Sequence, residues 1–551
     1  MAVWERVPLP YYLRRRGAHA QPAAISGRGL ADWTRLVDIC LAAALGLAVL
    51  LAHDVPYLLS HPLWVDEAWV ADIVRAPVGL TRSLASSTPL GWAYLLHLVP
   101  FGGPERLRLV PLVFTMLAAA AGYLLGRELR LDRFITGILT GAAVLLSPAM
   151  LVHDELKQYT AEACACLVLL ILVARVENEW RIQRLAAIAV VSSVGLLFSN
   201  TVIFVGVAAM VGLGLECLVN RSYRRLADVG LATVGMLIVS LVIYVTLIRP
   251  AISPSLVQYW AGYYVPTHSV HGALSYINLR LVSLAPYAGF GRLVVDAVGV
   301  LAGIAALIWL KRFALAAMFP VILAIVIGAS AAGKYPFGDL RTSTFWLVMP
   351  PVLMAVAVAT AGSLARHFAR LAPKLVAGAV PVLIAAAALA IWVPATERYV
   401  RSHLLPAEDV QAQVAYLDRH FRHGDVVIVN FAASYGFAYY YPPTPSLPAG
   451  PGPDGHVVAY PSRPWIVLLA PPKGSANGLQ ADGVNGIAEA RAKIAAEPAR
   501  SRGRIWIISS HARPSLALTY ERVLAGQHVQ VIRVGPEPIL LYDYQPGHPG
   551  L

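Results

Sequence analysis

Long apolar runs separated by short polar segments make up most of the first 394 residues. The longer runs extend over roughly 18–22 residues, the length at which an α-helix crosses the ~30 Å hydrocarbon layer of a bilayer. About eleven spans are predicted by this pattern, and the fifth is the shortest: residues 37–52, 107–125, 134–150, 161–176, 185–198, 202–218, 231–248, 293–310, 315–331, 344–361 and 375–394. The predicted fold class is a polytopic α-helical membrane protein.

Composition supports this fold class. The chain has 551 residues, of which 58% are hydrophobic and only 14% charged, and a soluble domain of this size could not bury so much apolar surface. The N-terminus is polar and basic, and no small-residue cleavage site follows the first apolar run, so no removable signal peptide is predicted. The four cysteines lie in or beside apolar runs, which argues against a disulfide framework in the C-terminal region.

The net charge of +13 resides mainly in short loops between the predicted spans. If the N-terminus is cytoplasmic, the arginine-rich short loops all fall on the cytoplasmic side, as the positive-inside rule requires. These loops contain Arg127, Arg130 and Arg133; Arg181 and Arg184; Arg221, Arg224 and Arg225; Lys311 and Arg312; and Arg366, Arg370 and Lys374. We therefore predict an integral plasma (inner) membrane protein with several spans, and no nucleic-acid partner.

The opposite, extracytoplasmic face then receives most of the remaining polar chemistry. It holds the loops 53–106, 153–159, 249–292 and 333–341, and everything after Pro394. Within the first loop, residues 67–74 and 89–99 have helical periodicity but are too short to span, so two interfacial helices are predicted there.

The C-terminal region alternates strand-like and helix-like segments. Strands are predicted at 426–429, 465–469, 505–509, 529–533 and 539–542, helices at 410–421, 486–496 and 516–524, and a loop at 442–453. This alternation indicates an α/β domain. The predicted organisation is a cytoplasmic tail (1–36), a transmembrane catalytic domain (37–394) and an extracytoplasmic α/β domain (395–551).

The adjacent acids Asp66 and Glu67, flanked by Trp64 and Trp69, are the main catalytic candidates. Transfer of a group to a hydroxyl requires a base, and a partly desolvated carboxylate at the membrane surface is suited to that role. The alternative is that the two acids are simply solvated in an outer loop. The tryptophans favour a position at the interface instead.

Two further polar sets lie on the same predicted face. In the first, Lys157 could pair with a phosphate while Glu155 and Tyr159 bind sugar hydroxyls, although a lysine at a helix end often only reaches toward the headgroups. In a helix Lys157 would not share a face with Glu155 and Tyr159. The second set is Lys334, Tyr335 and Arg341, in which two cations lie outside against the positive-inside trend. An anionic lipid headgroup of the donor could bind there, and the alternative is that the set only anchors ordinary lipid headgroups.

Aromatic residues could line a groove for an acceptor or a lipid tail. The candidates are Trp64, Trp69, Tyr259, Trp260 and Tyr263, and the alternative is an interfacial aromatic belt. His268 and His271 have a spacing that metal ligands can have, but a third ligand is missing nearby. No metal site is predicted and no cofactor is expected to be required, with a divalent metal as the less favoured alternative.

The order of these motifs resembles the GT-C glycosyltransferases of the protein O-mannosyltransferase and aminoarabinose transferase type, including bacterial family-39-like proteins. The resemblance covers residues 35–395. After Asp66-Glu67, the matching segments are Thr88-Pro89-Leu90, Arg106-Leu107-Arg108-Leu109, Ser147-Pro148, Glu155-Leu156-Lys157-Gln158-Tyr159, and Tyr335-Pro336-Phe337-Gly338 with Arg341.

The resemblance implies an inverting transfer from a polyprenyl-phosphate sugar to a cell-envelope glycan, lipid or protein. It implies that Asp66 is the base and that Lys157 and Arg341 contact the phosphate. A mannosyl- or arabinosyltransferase of cell-wall biogenesis would fit. The rival readings are a transporter or flippase of lipid or glycan, which would usually carry ionisable residues inside its spans, and an assembly protein.

Overall fold

The structure is a computed structural model that describes residues 27–85, 88–99, 103–150, 156–252, 260–289, 292–368, 374–402, 408–441, 448–452, 455–458, 465–468, 504–510, 529–534 and 538–542. Helices dominate up to residue 402, and a mixed sheet follows. Each predicted span overlaps a helix, and the span predicted at 344–361 begins in the helix Leu340–Leu347 and continues in the helix Met349–Phe368.

The membrane part contains long apolar helices and a few shorter ones. Among the residues that the structure describes, seven helices are long and apolar enough to cross a bilayer, or eight if one bent pair counts as a single span. The helices that overlap the predicted spans, long and short together, have these bounds: α1 (Gly27–Ala52), α6 (Pro104–Glu128), α7 (Arg133–Leu145), α8 (Tyr159–Asn178), α9 (Ile182–Gly195), α10 (Val202–Val219), α11 (Tyr223–Ile243), α13 (Leu293–Trp309), α14 (Phe313–Ala331), α16 (Met349–Phe368) and α17 (Lys374–Ser402). The polytopic helical fold class is confirmed, while the count of eleven spans stays a prediction because three of the apolar helices are short.

Short helices fill the first polar loop, as its periodicity predicts. They are α2 (Val55–Ser60), α3 (Val65–Arg75), α4 (Thr81–Leu84) and α5 (Leu90–His97). The helix α3 is more enclosed than an interfacial helix would be, because every residue from Val65 to Val74 is buried. It packs against α5 on one side and against a C-terminal helix on the other.

The segment 249–292, predicted as an aromatic loop, contains a further helix. This helix, α12, spans Val270–Ala288 and is followed by α13. Its sequence mixes polar residues such as Asn278 and Arg280 with apolar ones, so it lacks the continuous apolar run by which a span is recognised. The prediction of a loop throughout this segment is wrong.

After residue 408 the chain forms a small α/β unit. Its helices are α18 (Val410–His420) and α19 (Phe431–Tyr440), and its strands are β1 (Val426–Val429), β2 (Pro448–Gly452), β3 (Gly455–Val458), β4 (Ile466–Leu468), β5 (Ile505–Ile508), β6 (Val529–Arg533) and β7 (Pro538–Tyr542). Five strands form one sheet in the order β4-β1-β5-β7-β6, with β1 parallel to both β4 and β5. We call this part the C-terminal α/β unit.

All five strands predicted in this region are present, with small differences at their ends. The predicted loop 442–453 is partly wrong, because β2 pairs with β3 in an antiparallel hairpin there. The helix α19 is not predicted by the periodicity, since it is apolar on nearly all sides. The helices predicted at 486–496 and 516–524 lie outside the described residues. The status of residues 395–551 as a separate extracytoplasmic domain stays a prediction.

Candidate active site

Asp66 lies in the first turn of α3 and meets two cations from distant segments. Its Oδ2 accepts a hydrogen bond from Nη1 of Arg341 at 2.7 Å, and its Oδ1 lies 3.9 Å from Nζ of Lys157. The side chain is largely buried. Three of the sequence-predicted site residues, separated by up to 275 positions, therefore lie together.

Glu67 points away from this cluster. Successive residues of a helix project about 100° apart, so adjacent acids face different neighbours. The Glu67 carboxylate forms two hydrogen bonds with Arg108, at 2.9 and 2.6 Å, and neither side chain is exposed. Burial raises the pKa of the Glu67 carboxyl, and the Arg108 guanidinium opposes that rise. Arg108 also donates to the carbonyl oxygens of Leu58, His61 and Pro62, so this pair fixes the turn that precedes α3.

Lys157 lies just before α8, in a turn and not in the helix. Its Nζ is 5.1 Å from the ring centroid of Trp69, a distance that suits a cation–π contact. The ring of Tyr435 is stacked on Trp69, with 5.5 Å between the ring centroids. Trp69 therefore contacts both the ammonium group of Lys157 and the phenol ring of Tyr435.

Arg341 is held by its own segment as well as by Asp66. Asp339 caps the helix α15 (Leu340–Leu347), and its Oδ1 also accepts from Nε of Arg341 at 3.2 Å. The turn before it requires glycine, because Gly338 has φ +92° and a Cβ there would meet the Arg280 side chain at 2.5 Å. The guanidinium also lies 5.2 Å from the ring centroid of Trp64. These contacts orient Arg341 toward α3.

A cavity of about 1110 Å³ begins at this cluster. Asp66, Lys157 and Lys334 are among the polar residues that line it, and Leu237 and Leu241 of α11 are part of its apolar wall. Leu237 and Leu241 are also 46% and 60% exposed, so protein does not cover this wall of the cavity. A turn of π-helix, Tyr244–Ile248, continues α11 along the same wall.

The remaining donor-site candidates differ in position. Tyr159 and Tyr335 line the cavity, but the Tyr335 hydroxyl donates to the carbonyl of Thr342 at 2.8 Å. Burial raises the pKa of Tyr335 well above its usual value, which keeps the phenol neutral. Glu155 lies outside the described residues.

The aromatic candidates likewise divide into groups. Trp69 and Trp260 line the cavity, whereas Trp64 is not among its lining residues and Tyr263 uses its carbonyl to accept from the Phe337 backbone. Tyr259 lies outside the described residues. Two tryptophans from different loops therefore border the cavity near its polar end.

Several lining residues were not singled out in the sequence. Arg82 and Arg249 add cations to the wall, and Tyr435 comes from the C-terminal α/β unit. Both arginines lie in predicted outer loops. Positive charge on that face departs from the positive-inside trend, and this is the sequence signal that could have identified them as site residues. Glu162 also lines the cavity, one turn into α8, where Ser199 and Thr201 hydrogen-bond to its carboxyl group.

In the part of the chain that the structure describes, no group of three or more His, Cys, Asp or Glu side chains could hold a metal ion. Whether the reaction needs a metal remains a prediction from the sequence.

Solved structures share this architecture. The crystal structure of ArnT from Cupriavidus metallidurans bound to undecaprenyl phosphate matches 95% of this chain and 99% of that one, with a TM-score of 0.54 and 12% identity. The apo structure of the same protein matches with a TM-score of 0.52 and 14% identity, over 93% of this chain and 98% of that one.

A third match is the oligosaccharyltransferase AglB from Archaeoglobus fulgidus, in complex with an inhibitory peptide and a dolichol-phosphate. It covers 87% of this chain and 70% of AglB, with a TM-score of 0.53 and 12% identity. No protein-family model and no curated protein matches the sequence. The structural matches show the GT-C fold, and they confirm the fold to which the sequence motifs pointed.

Proposed function

We propose that this chain is a membrane glycosyltransferase that transfers a sugar from a polyprenyl-phosphate donor to an acceptor hydroxyl. The observation that carries the proposal is the contact of Asp66 with both Lys157 and Arg341. Asp66 and Lys157 line the polar end of the cavity, and Arg341, which is not among the lining residues, holds Asp66 there. A carboxylate can accept the acceptor's proton, and two cations can receive a phosphate. ArnT and AglB were solved with undecaprenyl phosphate and dolichol-phosphate, which supports a lipid-phosphate donor.

The shape of the cavity supports the same class of donor. A polyprenyl-phosphate sugar has an anionic head and a long apolar tail. The cavity has cations at one end, including Lys334, and an apolar wall along α11 at the other. Because protein does not cover that wall at Leu241, the tail would leave the cavity there toward the lipid.

The proposed reaction is a single displacement. The acceptor oxygen attacks the anomeric carbon of the sugar, and the bond from that carbon to the phosphate oxygen breaks. The polyprenyl phosphate leaves as an anion with the electron pair of that bond, and Asp66 takes the proton of the acceptor hydroxyl. Since attack and departure occur on opposite faces of the carbon, the anomeric configuration inverts.

The ion pairs of Asp66 would change when the donor binds. Arg341 and Lys157 now contact its two carboxylate oxygens. A phosphate arriving between them would draw both cations toward itself, which frees an oxygen of Asp66 to accept the proton. Thus the same two side chains hold Asp66 before binding and stabilise the leaving group afterwards.

The remaining parts of the proposal come from the sequence. The reaction would take place at the extracytoplasmic face, with the N-terminus in the cytoplasm and the C-terminal domain outside. The acceptor would be a cell-envelope glycan, lipid or protein, and the sugar a hexose or pentose such as mannose or arabinose. No metal is assigned a step.

The test is sugar transfer by the purified full-length protein from a panel of polyprenyl-phosphate sugars. Transfer from one donor by the wild type, with loss in Asp66→Asn, is the expected result. Asp54→Asn is the matched control, because Asp54 lies in the same outer loop but only caps α2. If the wild type uses no donor but moves the intact lipid carrier between leaflets, the proposed transferase function is refuted and the protein is a flippase.

A further inference from the structure

The C-terminal α/β unit contacts the membrane part at the helix that carries Asp66. Besides the Trp69–Tyr435 stack, the Tyr440 hydroxyl accepts from the Leu63 backbone N–H at 2.7 Å, and Nη1 of Arg75 donates to the Tyr439 carbonyl at 3.0 Å. These contacts lie before, within and at the end of α3. The unit therefore holds the whole helix and not one end of it.

Glu408 of the C-terminal α/β unit contacts the first residue of α3. The N-cap residue of α3 is Trp64, and its side chain accepts no hydrogen bond from the backbone N–H groups of the first turn. Instead, Oε2 of Glu408 accepts the N–H of Val65 at 3.0 Å. A carboxylate is favoured there by the helix dipole as well as by the hydrogen bond. Glu408 thus caps α3 from 343 residues away in sequence.

Glu408 is itself oriented by the sheet. The Oγ of Ser510 donates to the same Oε2 at 2.8 Å. Ser510 follows β5, and Asn430 follows the parallel neighbour β1, with Nδ2 of Asn430 donating to the Ser510 carbonyl at 3.1 Å. Carboxyl ends of parallel strands are where open α/β sheets commonly bind ligands. In this chain that edge binds the first turn of α3.

We propose that Glu408 is a positioning residue, through which the C-terminal α/β unit sets the first turn of α3 so that the Asp66 carboxylate meets Lys157 and Arg341. Loss of this cap would let the turn fray, since Val65 is the first residue of the helix and Asp66 the second. The expected effect of losing this cap on sugar transfer rests on the proposed function. The expected fraying of the first turn of α3 does not.

The experiment combines hydrogen exchange with turnover on the purified full-length protein. In Glu408→Ala we expect faster exchange in peptides covering residues 63–70, because loss of a cap destabilises the start of the helix. We also expect a kcat lowered about tenfold, because Asp66 then spends less time in its catalytic position. Glu408→Gln keeps an acceptor oxygen and should retain most of the kcat. Asp409→Ala is the matched control, because it removes the cap of α18 in the same unit and leaves α3 untouched.

A second pair of variants separates positioning from general loss of stability. Ser510→Ala should lower kcat in the wild type but have no further effect in Glu408→Ala, because Ser510 acts on α3 through Glu408. Additive losses would contradict this. Equal effects of Glu408→Ala and Asp409→Ala, or unchanged exchange in Glu408→Ala, would overturn the proposal. If the wild type transfers no sugar, the proposed function fails, while the exchange result alone still supports or overturns the positioning of α3.

Discussion

We expect Arg108→Met to unfold the outer part of the protein or to lower its stability severely. Arg108 and Glu67 have no exposed side-chain surface and share two hydrogen bonds. Removing one partner of such a pair costs about 3–5 kcal/mol, because the other charge is left buried. Arg108→Met also leaves the carbonyls of Leu58, His61 and Pro62 without this donor, at about 1 kcal/mol each.

The compensating variant decides what Glu67 does. In Arg108→Met/Glu67→Leu the unpaired carboxyl group is gone, so we expect at least about 2 kcal/mol of the lost stability to return. The assay is thermal unfolding in detergent followed by tryptophan fluorescence, together with sugar transfer. We expect the double variant to be folded and to keep much of the activity of the wild type, because the role of Glu67 is to hold α3 in position and not to take part in the reaction.

A catalytic Glu67 would give a different result. The double variant would then be folded but inactive, and our assignment of Glu67 to structure would be wrong. Arg127→Met is the matched control, because Arg127 lies at the other end of α6 and pairs with Asp38. It should lower stability without changing the turnover of the protein that stays folded.

Other outcomes follow from the same geometry. Arg341→Lys should raise the donor KM about tenfold, because an ammonium group cannot replace the planar, forked N–H donors of a guanidinium at a phosphate. Initial rates measured over a range of donor concentrations would give this KM. Tyr435→Phe keeps the ring that stacks on Trp69 and should retain more activity than Tyr435→Ala; equal losses in both would contradict the role of the stack. Burial, and then the nearby guanidinium, lowers the pKa of His61 to about 4. The unfolded chain therefore binds this proton at higher pH than the folded one, and stability should fall by at most about 3 kcal/mol as the pH drops from 7 to 4. His61→Asn should flatten that part of a pH series of unfolding midpoints.

Much of the membrane architecture could be predicted from local pattern. Apolar run length determines where helices can span, and the arginine-rich loops determine which polar loops share a face. That sidedness predicts that Asp66, Lys157 and Arg341 lie on one face of the membrane. Their meeting is a consequence of topology, and each lies in a loop or at a helix end where the pattern is easily read.

Pairings between distant residues could not be predicted in this way. Glu67 stands beside Asp66 in sequence, but the helix turns it toward Arg108, and no local signal identifies that partner. The cap that Glu408 provides depends on how the C-terminal sheet docks on α3. The helix α12 was missed because its polar residues interrupt the apolar run. In each case tertiary packing, which the pattern does not contain, determines the outcome.

The central claim is that Asp66 takes the acceptor's proton while Lys157 and Arg341 receive the phosphate. The most direct measurement compares donor binding and turnover in the wild type and Asp66→Asn, with the donor that the panel identifies. We predict that Asp66→Asn binds the donor with an unchanged or lower Kd, because both cations are released toward the phosphate, while kcat falls about 10²–10⁴-fold. Turnover at the wild-type rate with the donor bound would contradict the claim.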